Sequence, residues 1–522
     1  MKIAFCLMLA FVALTSGFTA NAAVLALQPN GSYVTKTTLA AVNTSADCIG
    51  KPVLATTSQS VSTAISWTAG PLILTSGSYI TFTGSGAITG LKEIHADFGD
   101  GTDKTAAMNG LAQLALAGTK VYMAKGNYLT STPWSFTRPV SIQAGKDTRI
   151  SLTASAPYIV SMDFTGGYGL DGNNTVLESL ILDGQGFATD GLVLNSVYTG
   201  KFDKIRVTNV IAAGLHMKLA QSCLFTDFTV SGNVETFITT PVEGILADTS
   251  TSSDNTFINP IIEHVSGSGV RGLTLSASTF INGTSEGNNI GIELGASGSP
   301  AGSVGGNTFI GMDLEANTAS DVAINISSYL NDFYNLAGGY MSGPVNIVGS
   351  RFNTFHGGTI SGYVLDATCA SNKFRDVTLL ASGSSTPTLT HGGAQNIRTG
   401  MNNAYGDTVI PDIVLRARTN YDVAAAGSAT IDVSIASYAT VTANGATLTI
   451  NAPINMSDGQ DLDIEVINAS GGATAVTWAA AFKMPTWVNP ANGNCRSIRF
   501  RYNGVYGTWK AIAMIAADVP RY

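Results

Sequence analysis

Asn255-Thr256-Phe257, Asn307-Thr308-Phe309, Asn331-Asp332-Phe333, Asn353-Thr354-Phe355 and Asn372-Lys373-Phe374 are variants of one tripeptide, Asn-x-Phe. Phe202, Phe225 and Phe280 extend the series outward, and the successive intervals are 23, 32, 23, 29, 24, 22 and 19 residues. A repeat in this range marks one supersecondary unit stacked on copies of itself. A large aromatic that returns at one register needs burial, so the Phe column is expected to stack inside the coils. The Asn two residues earlier belongs at a turn, where its amide can bond the backbone and its counterparts above and below.

Counting onward from each Phe, the fifth residue is often apolar or small: Val207, Val230, Ile262, Leu314 and Ile360. The sixth after Phe257, Phe280 and Phe309 is Glu263, Glu286 and Glu315, three of only nine glutamates in the chain. Strand alternation puts these neighbours on opposite faces. With Ile262, Ser285 and Leu314 inward, the three glutamates point outward, and Asp313, two before Glu315, shares their face. Parallel coils stack about 4.8 Å apart, so the glutamates form a vertical row with neighbours roughly 5 Å and alternate members roughly 10 Å apart. Like charges this close cannot all ionise cheaply, so at least one pKa should rise. A raised acid beside an ionised partner is what glycosidic cleavage requires. Retaining enzymes hold their carboxyls about 5–5.5 Å apart and inverting ones about 6.5–9.5 Å, and the row spans both. The same residues also fit a solvated stripe, or a Ca²⁺ site paired with a base such as Arg271, as in a polysaccharide lyase. His264 and His356 read as structural, with His264 leaning inward or sitting at a turn.

The rest of the chain agrees with a β architecture outside the cell. Met1-Lys2, the apolar run Ile3 to Leu14 and Ala20-Asn21-Ala22 have the layout of a signal peptide over residues 1–22. The expected location is therefore secreted. No run is long enough for a transmembrane helix. Charged residues make up 12% and glycines number 57, so Ser, Thr, Asn and Gly take the place of charge on the surface. The net charge is −8 and there is no basic cluster to track phosphates, which excludes nucleic acid as the expected partner. Cys223 and Cys369 fall too far apart for a disulfide. Cys48 and Cys495 could pair only if the two ends of the chain meet. No Cys or His spacing of metal-site type is present, so no cofactor is expected beyond the Ca²⁺ of the lyase alternative.

Residues 23–90 read as a small N-terminal β module. Residues 91–381 read as the coiled domain, opened by a helix with Met108, Leu111, Leu114 and Ala115 on one face, Thr102 or Asp103 as its N-cap and Gly118 at its end. Residues 382–420, rich in Ser, Thr, Gly and Asn, read as a linker. Residues 421–522 read as a β-sandwich of half-buried antiparallel strands, from the strict alternation of Asp461–Val466 and Ser497–Tyr502.

Gly99-Asp100-Gly101-Thr102-Asp103-Lys104-Thr105-Ala106-Ala107-Met108, with Val121-Tyr122-Met123-Ala124-Lys125-Gly126-Asn127-Tyr128, resembles the opening segment of pectate-lyase-like β-helix proteins. There a Gly-Asp-Gly turn leads into a capping helix, a strand and a Gly-x-Tyr turn; Lys104 replaces a common second acid. Gly459-Gln460, Val476-Thr477-Trp478, Phe482-Lys483 and Phe500 to Tyr502 with Trp509-Lys510 resemble C-terminal modules of phage tail proteins. Together these resemblances imply a right-handed parallel β-helix of tailspike type. That family binds and often cleaves bacterial surface glycans, typically as homotrimers, using Asp and Glu on the coil face or between subunits. They imply a phage virion tail as the alternative location, against which the signal peptide argues. The expectation is an all-β polysaccharide depolymerase acting through Glu263, Glu286, Glu315 and Asp313. Its rivals are a Ca²⁺-dependent lyase and a non-catalytic glycan-binding or structural protein.

Overall fold

The computed structural model describes residues 24–27, 33–36, 52–379 and 426–520 apart from short internal stretches (among them 166–174, 233–238, 296–303 and 339–342), with a few short strands between 388 and 423. The signal peptide at 1–22, Cys48 and most of the linker at 382–420 lie outside the described residues. The chain divides into two compact units, 1–396 and 397–522.

The first unit is a parallel β-helix whose coils carry three main stacked sheets and a shorter six-stranded ladder from Val197–Tyr198 to Ser328–Tyr329. The first holds the Phe strands, from Lys201–Asp203 through Leu224–Thr226, Thr256–Ile258, Thr279–Ile281, Thr308–Ile310, Asp332–Tyr334 and Thr354–His356 to Lys373–Arg375. The second includes Thr229–Ser231, Ile261–Glu263, Thr284–Glu286, Asp313–Leu314, Ala337–Gly338 and Thr359–Ile360. The third includes Glu243–Ala247, Ser268–Gly272, Ile290–Leu294 and Ser320–Ile324. In the earlier coils the long strand Val176–Asn195 runs from the first sheet through the second to the third, and Arg206–Met217 from the second to the third.

The eight phenylalanines form one continuous internal column. Successive rings stack with centroids 4.3 to 5.1 Å apart and interplanar angles of 14° or less. Each ring is buried. Two corners hold this strand in place in every coil. The residue two after Phe takes positive φ (Lys204, Asp227, Asn259, Asn282, Gly311, Asn335, Gly357, Asp376), as does the residue three before it (Thr199, Ser222, Asp254, Ala277, Gly306, Leu330, Phe352, Ser371). The first set is largely Asn, Asp and Gly, the residues that tolerate this conformation best.

The asparagines build a second ladder beside the rings. The Asn307 N–H donates to Asn331 Oδ1 (3.2 Å), the Asn331 N–H to Asn353 Oδ1 (3.2 Å) and the Asn353 N–H to Asn372 Oδ1 (3.1 Å). The amides also bond one another, Asn331 Nδ2 donating to Asn353 Oδ1 at 2.9 Å. Buried corner N–H groups that no strand could satisfy are thereby paired.

The helix Thr105–Leu116 starts where the Asp103 carboxylate accepts the Thr105 N–H (2.9 Å), and it is followed by Gly118 at φ +86°. Met108, Leu111, Leu114 and Ala115 are buried. It packs against Ile80–Phe82 and Trp134–Phe136. At Gly110 a Cβ would stand 2.3 Å from the Ile80 carbonyl oxygen, so only glycine allows this approach.

Within the expected module at 23–90, the described residues from Val53 onward join the coils. Val53–Ala55, Leu72–Leu74, Glu93–Ala96 and Lys120–Met123 pair successively in parallel, so the coils already begin at Val53. These coils carry no Phe or Asn marker, and three-residue strands leave little periodicity to read. Coil stacking also extends past the expected end, since Thr388–Thr390 pairs in parallel with Gly362–Leu365.

In the second unit the expected antiparallel pair is present. Asp461–Asn468 runs against Asn494–Asn503, with Arg499 gripping Asp463 and Arg501 gripping Asp461, each through two bonds of 2.7 to 3.0 Å. The wholly antiparallel sandwich is corrected, however. Arg418–Val423, Tyr438–Ala443 and Asp461–Asn468 are parallel, as are Ala426–Ala429, Thr447–Ile450 and Ala475–Trp478. Half-buried strands alternate in the same way whichever direction they run, so the pattern could not reveal it. Ile431, Val441, Ile450, Ile464, Phe500 and Trp509 form the core of this unit.

Truncating a central ring opens a cavity between two stacked neighbours. Phe280→Ala should cost about 3–5 kcal/mol in urea unfolding followed by tryptophan fluorescence. Asn331→Ala, which strands the buried Asn307 N–H, should cost about 1–3 kcal/mol in the same measurement.

Candidate active site

The Glu row is set by the backbone register of the second sheet. Glu263 pairs with Glu286, and Thr284 pairs with Asp313, which aligns Glu315 on Glu286. The backbone carbonyls of the row are themselves tied from coil to coil. Those of Glu263, Glu286 and Glu315 accept the N–H groups of Gly232, His264 and Gly287 at 2.8, 2.9 and 3.0 Å. Ile262, Ser285 and Leu314 are buried, and the four acids are half-buried on the outer face.

A second asparagine ladder, absent from the sequence reading, stiffens the corner beside the row. Asn288 Oδ1 accepts the Val265 N–H (2.9 Å) and Asn317 Oδ1 the Asn288 N–H (3.2 Å). Asn317 Nδ2 donates back to the Ser285 carbonyl at 2.9 Å. The signal was available: Asn288 and Asn317 each stand two residues after a row glutamate. His264 sits at this corner with φ 57°, its imidazole against Gly287, the residue after Glu286.

Electrostatically the acids act on one another. Burial and the Glu286 charge raise the Asp313 carboxyl above its ordinary value. Burial, Asp313 and Glu286 together raise Glu315. Asp313 Oδ1 is buried without a hydrogen-bond partner among the described residues. Burial and the neighbouring acids thus favour the protonated forms of Asp313 and Glu315 more than water would. The row stands on the outer face of the second sheet. Cavities of about 290 and 500 Å³ lie elsewhere, lined by none of these acids.

Arg271 is not near the row. It stands on the third sheet, in register between Leu246 and Glu293. Its guanidinium hydrogen-bonds Glu243 (2.8 Å) and makes an ion pair with Glu293 (3.2 Å). Among the described residues no group of three or more His, Cys, Asp or Glu side chains converges in a way that could hold a metal ion.

The third sheet also carries a cluster that sequence reasoning missed. His216 Nδ1 bonds Asp190 and Nε2 bonds Asp248, both at 2.9 Å. Burial pulls the imidazole pKa down, but the two carboxylates outweigh it and hold it at about 9, above the ordinary 6.5. The His216 bonds in turn lower Asp248.

The fold is similar to that of a Geobacillus virus E2 protein, ORF18 (TM-score 0.36, 15% identity, 59% of this chain and 60% of that one). It is also similar to the N-terminal fragment of bacteriophage Phi29 gene product 12 (0.40, 11%, 80% and 95%). A third similar structure is the tailspike protein gp49 of Pseudomonas phage LKA1 (0.36, 11%, 73% and 74%). The chain spans 60% of the length of the first of these. No family model and no curated protein matches the sequence.

The His216 pair gives a signed pH dependence. A folded pKa above the unfolded one contributes stability that is fully present below about pH 6.5 and is lost as pH rises through about 9. The difference in melting temperature between the native chain and His216→Asn should therefore be largest near pH 6 and shrink by pH 9.5.

Proposed function

We propose that the chain binds and cleaves an extracellular polysaccharide, bacterial or plant, by glycoside hydrolysis on the outer face of the second sheet. The observation that carries this reading is the Asp313–Glu286–Glu315 group, in which two carboxyls are raised by burial and by their neighbours. Asp313, with one oxygen desolvated and unpaired, is assigned as the acid that protonates the leaving glycosidic oxygen. Glu286, flanked by Glu263 and Glu315 in the row, is assigned as the partner group, either nucleophile or base for water. Charge developing on the sugar ring in the transition state would be stabilised by this row of negative groups.

An outer sheet face suits an extended polymer better than a small molecule, and a second copy set against it would complete a cleft. A homotrimer, acting as a secreted protein or on a phage tail, fits that geometry. A Ca²⁺-dependent lyase finds less support, because Arg271 is held in ion pairs on another sheet.

Purified protein is expected to release reducing ends from at least one member of a panel of bacterial capsules, O-antigens and pectins. Asp313→Asn and Glu286→Gln should each lower kcat by about 10²–10⁴-fold. Their melting temperatures should hold or rise, because each change relieves repulsion. Binding without cleavage across the panel would assign the chain to non-catalytic adhesion. New ultraviolet absorbance from unsaturated uronates, lost in EDTA, would assign it to the lyases.

A further inference from the structure

The outer face of the third sheet, in the early coils, holds a cavity of about 290 Å³ lined by Ser135, Tyr158, Ser161, Asp163, Asn195 and Lys218, with Val193 in its floor. Parallel register brings these residues together. Ser135, Ser161 and Val193 form one column. Asp163 and Asn195 form the next, and Lys218 follows in the succeeding coil beside Met217, the partner of Leu194. Ser161 and Val193 are 7% and 4% exposed, so the floor is packed and part of it is apolar.

The rim is already ordered. The Tyr158 hydroxyl and Ser135 Oγ are hydrogen-bonded at 2.9 Å, which fixes the ring at one side. Asp163 Oδ1 accepts the Thr165 N–H (3.1 Å) and hydroxyl (2.8 Å). Lys218 is close enough to act on both Asp163 and Asp248. With Thr137, which also lines it, the cavity thus offers one carboxylate, one ammonium, an amide and four hydroxyls around an apolar patch, and its charges cancel. A cancelled charge gives no advantage to a polyanion. Closely spaced donors and acceptors over an apolar floor match a pyranose ring, which has an apolar C–H face and a rim of hydroxyls. The volume, at the small end for ligand cavities, suits a single ring.

We propose that this cavity is a second, non-catalytic site that takes one neutral hexose unit of a glycan. It is remote from the acids on the second sheet. Val193, His216, Leu246, Arg271 and Glu293 are successive partners, and Glu286 lies in the coil of Glu293. Four steps of about 4.8 Å place it roughly 19 Å away along the axis. The inference rests on the chain having a glycan ligand, but not on cleavage.

The test is saturation-transfer NMR on the full chain with the methyl glycosides of glucose, galactose, mannose, rhamnose and N-acetylglucosamine, and with methyl glucuronide for comparison. At least one neutral glycoside should bind. Its dissociation constant should rise about tenfold or more in Tyr158→Ala and Lys218→Met. Tyr158→Phe, which keeps the ring, should weaken it less and provides the folded control. Glu286→Gln should leave it unchanged. The proposal is overturned if none of the five neutral glycosides binds, if glucuronide binds better than all of them, or if Tyr158→Ala and Lys218→Met bind as the native chain does. Loss of binding in Glu286→Gln would also overturn it, by locating the sugar at the acid row. Cleavage that fails while hexose binding persists would sink the enzymatic reading alone.

Discussion

Coil-to-coil register governs everything else in the first unit, and the buried corners are what fix it. A parallel strand two or three residues long contributes few ladder bonds, and the N–H groups at its corners point into the interior. Left unpaired, each would cost about 1–3 kcal/mol. The asparagines at 331, 353 and 372 accept those N–H groups and bond one another at the same time. A slip of one residue would break that chain of amides and turn the Phe rings outward. The ladder thus converts a repeat with loops of unequal length into coils of fixed register.

Fixed register also places charge. Because the Phe strand, its left-handed corner and the next strand have constant length, a residue six after Phe must recur in one vertical line. The Glu row was therefore legible: once Phe was known, position six followed. The third sheet was not legible in that way. The stretch between the second and third sheets varies, with Thr229–Ser231 followed by Glu243–Ala247 but Ile261–Glu263 by Ser268–Gly272. No fixed count from Phe reaches His216 or Arg271, so their partners Asp190, Asp248, Glu243 and Glu293 could be found only in three dimensions. The early coils from Val53 lacked the marker altogether, and strand direction near Asp461 left no trace in an alternating pattern.

The acid row of the second sheet and the acids of the third sheet are handled in opposite ways. On the third sheet the carboxylates are compensated: Asp190 and Asp248 by His216, Glu243 and Glu293 by Arg271, with Lys218 acting on Asp163. On the second sheet Glu263, Glu286, Asp313 and Glu315 form no ion pair among the described residues, and two of them are raised in consequence of burial and repulsion. A chain with only 12% charged residues has hydroxyls and amides enough to solvate its walls. It gains nothing in solubility from stacking acids that repel. The repulsion is thus confined to one strip of surface, above a core whose stacked rings and bonded amides repeat from coil to coil.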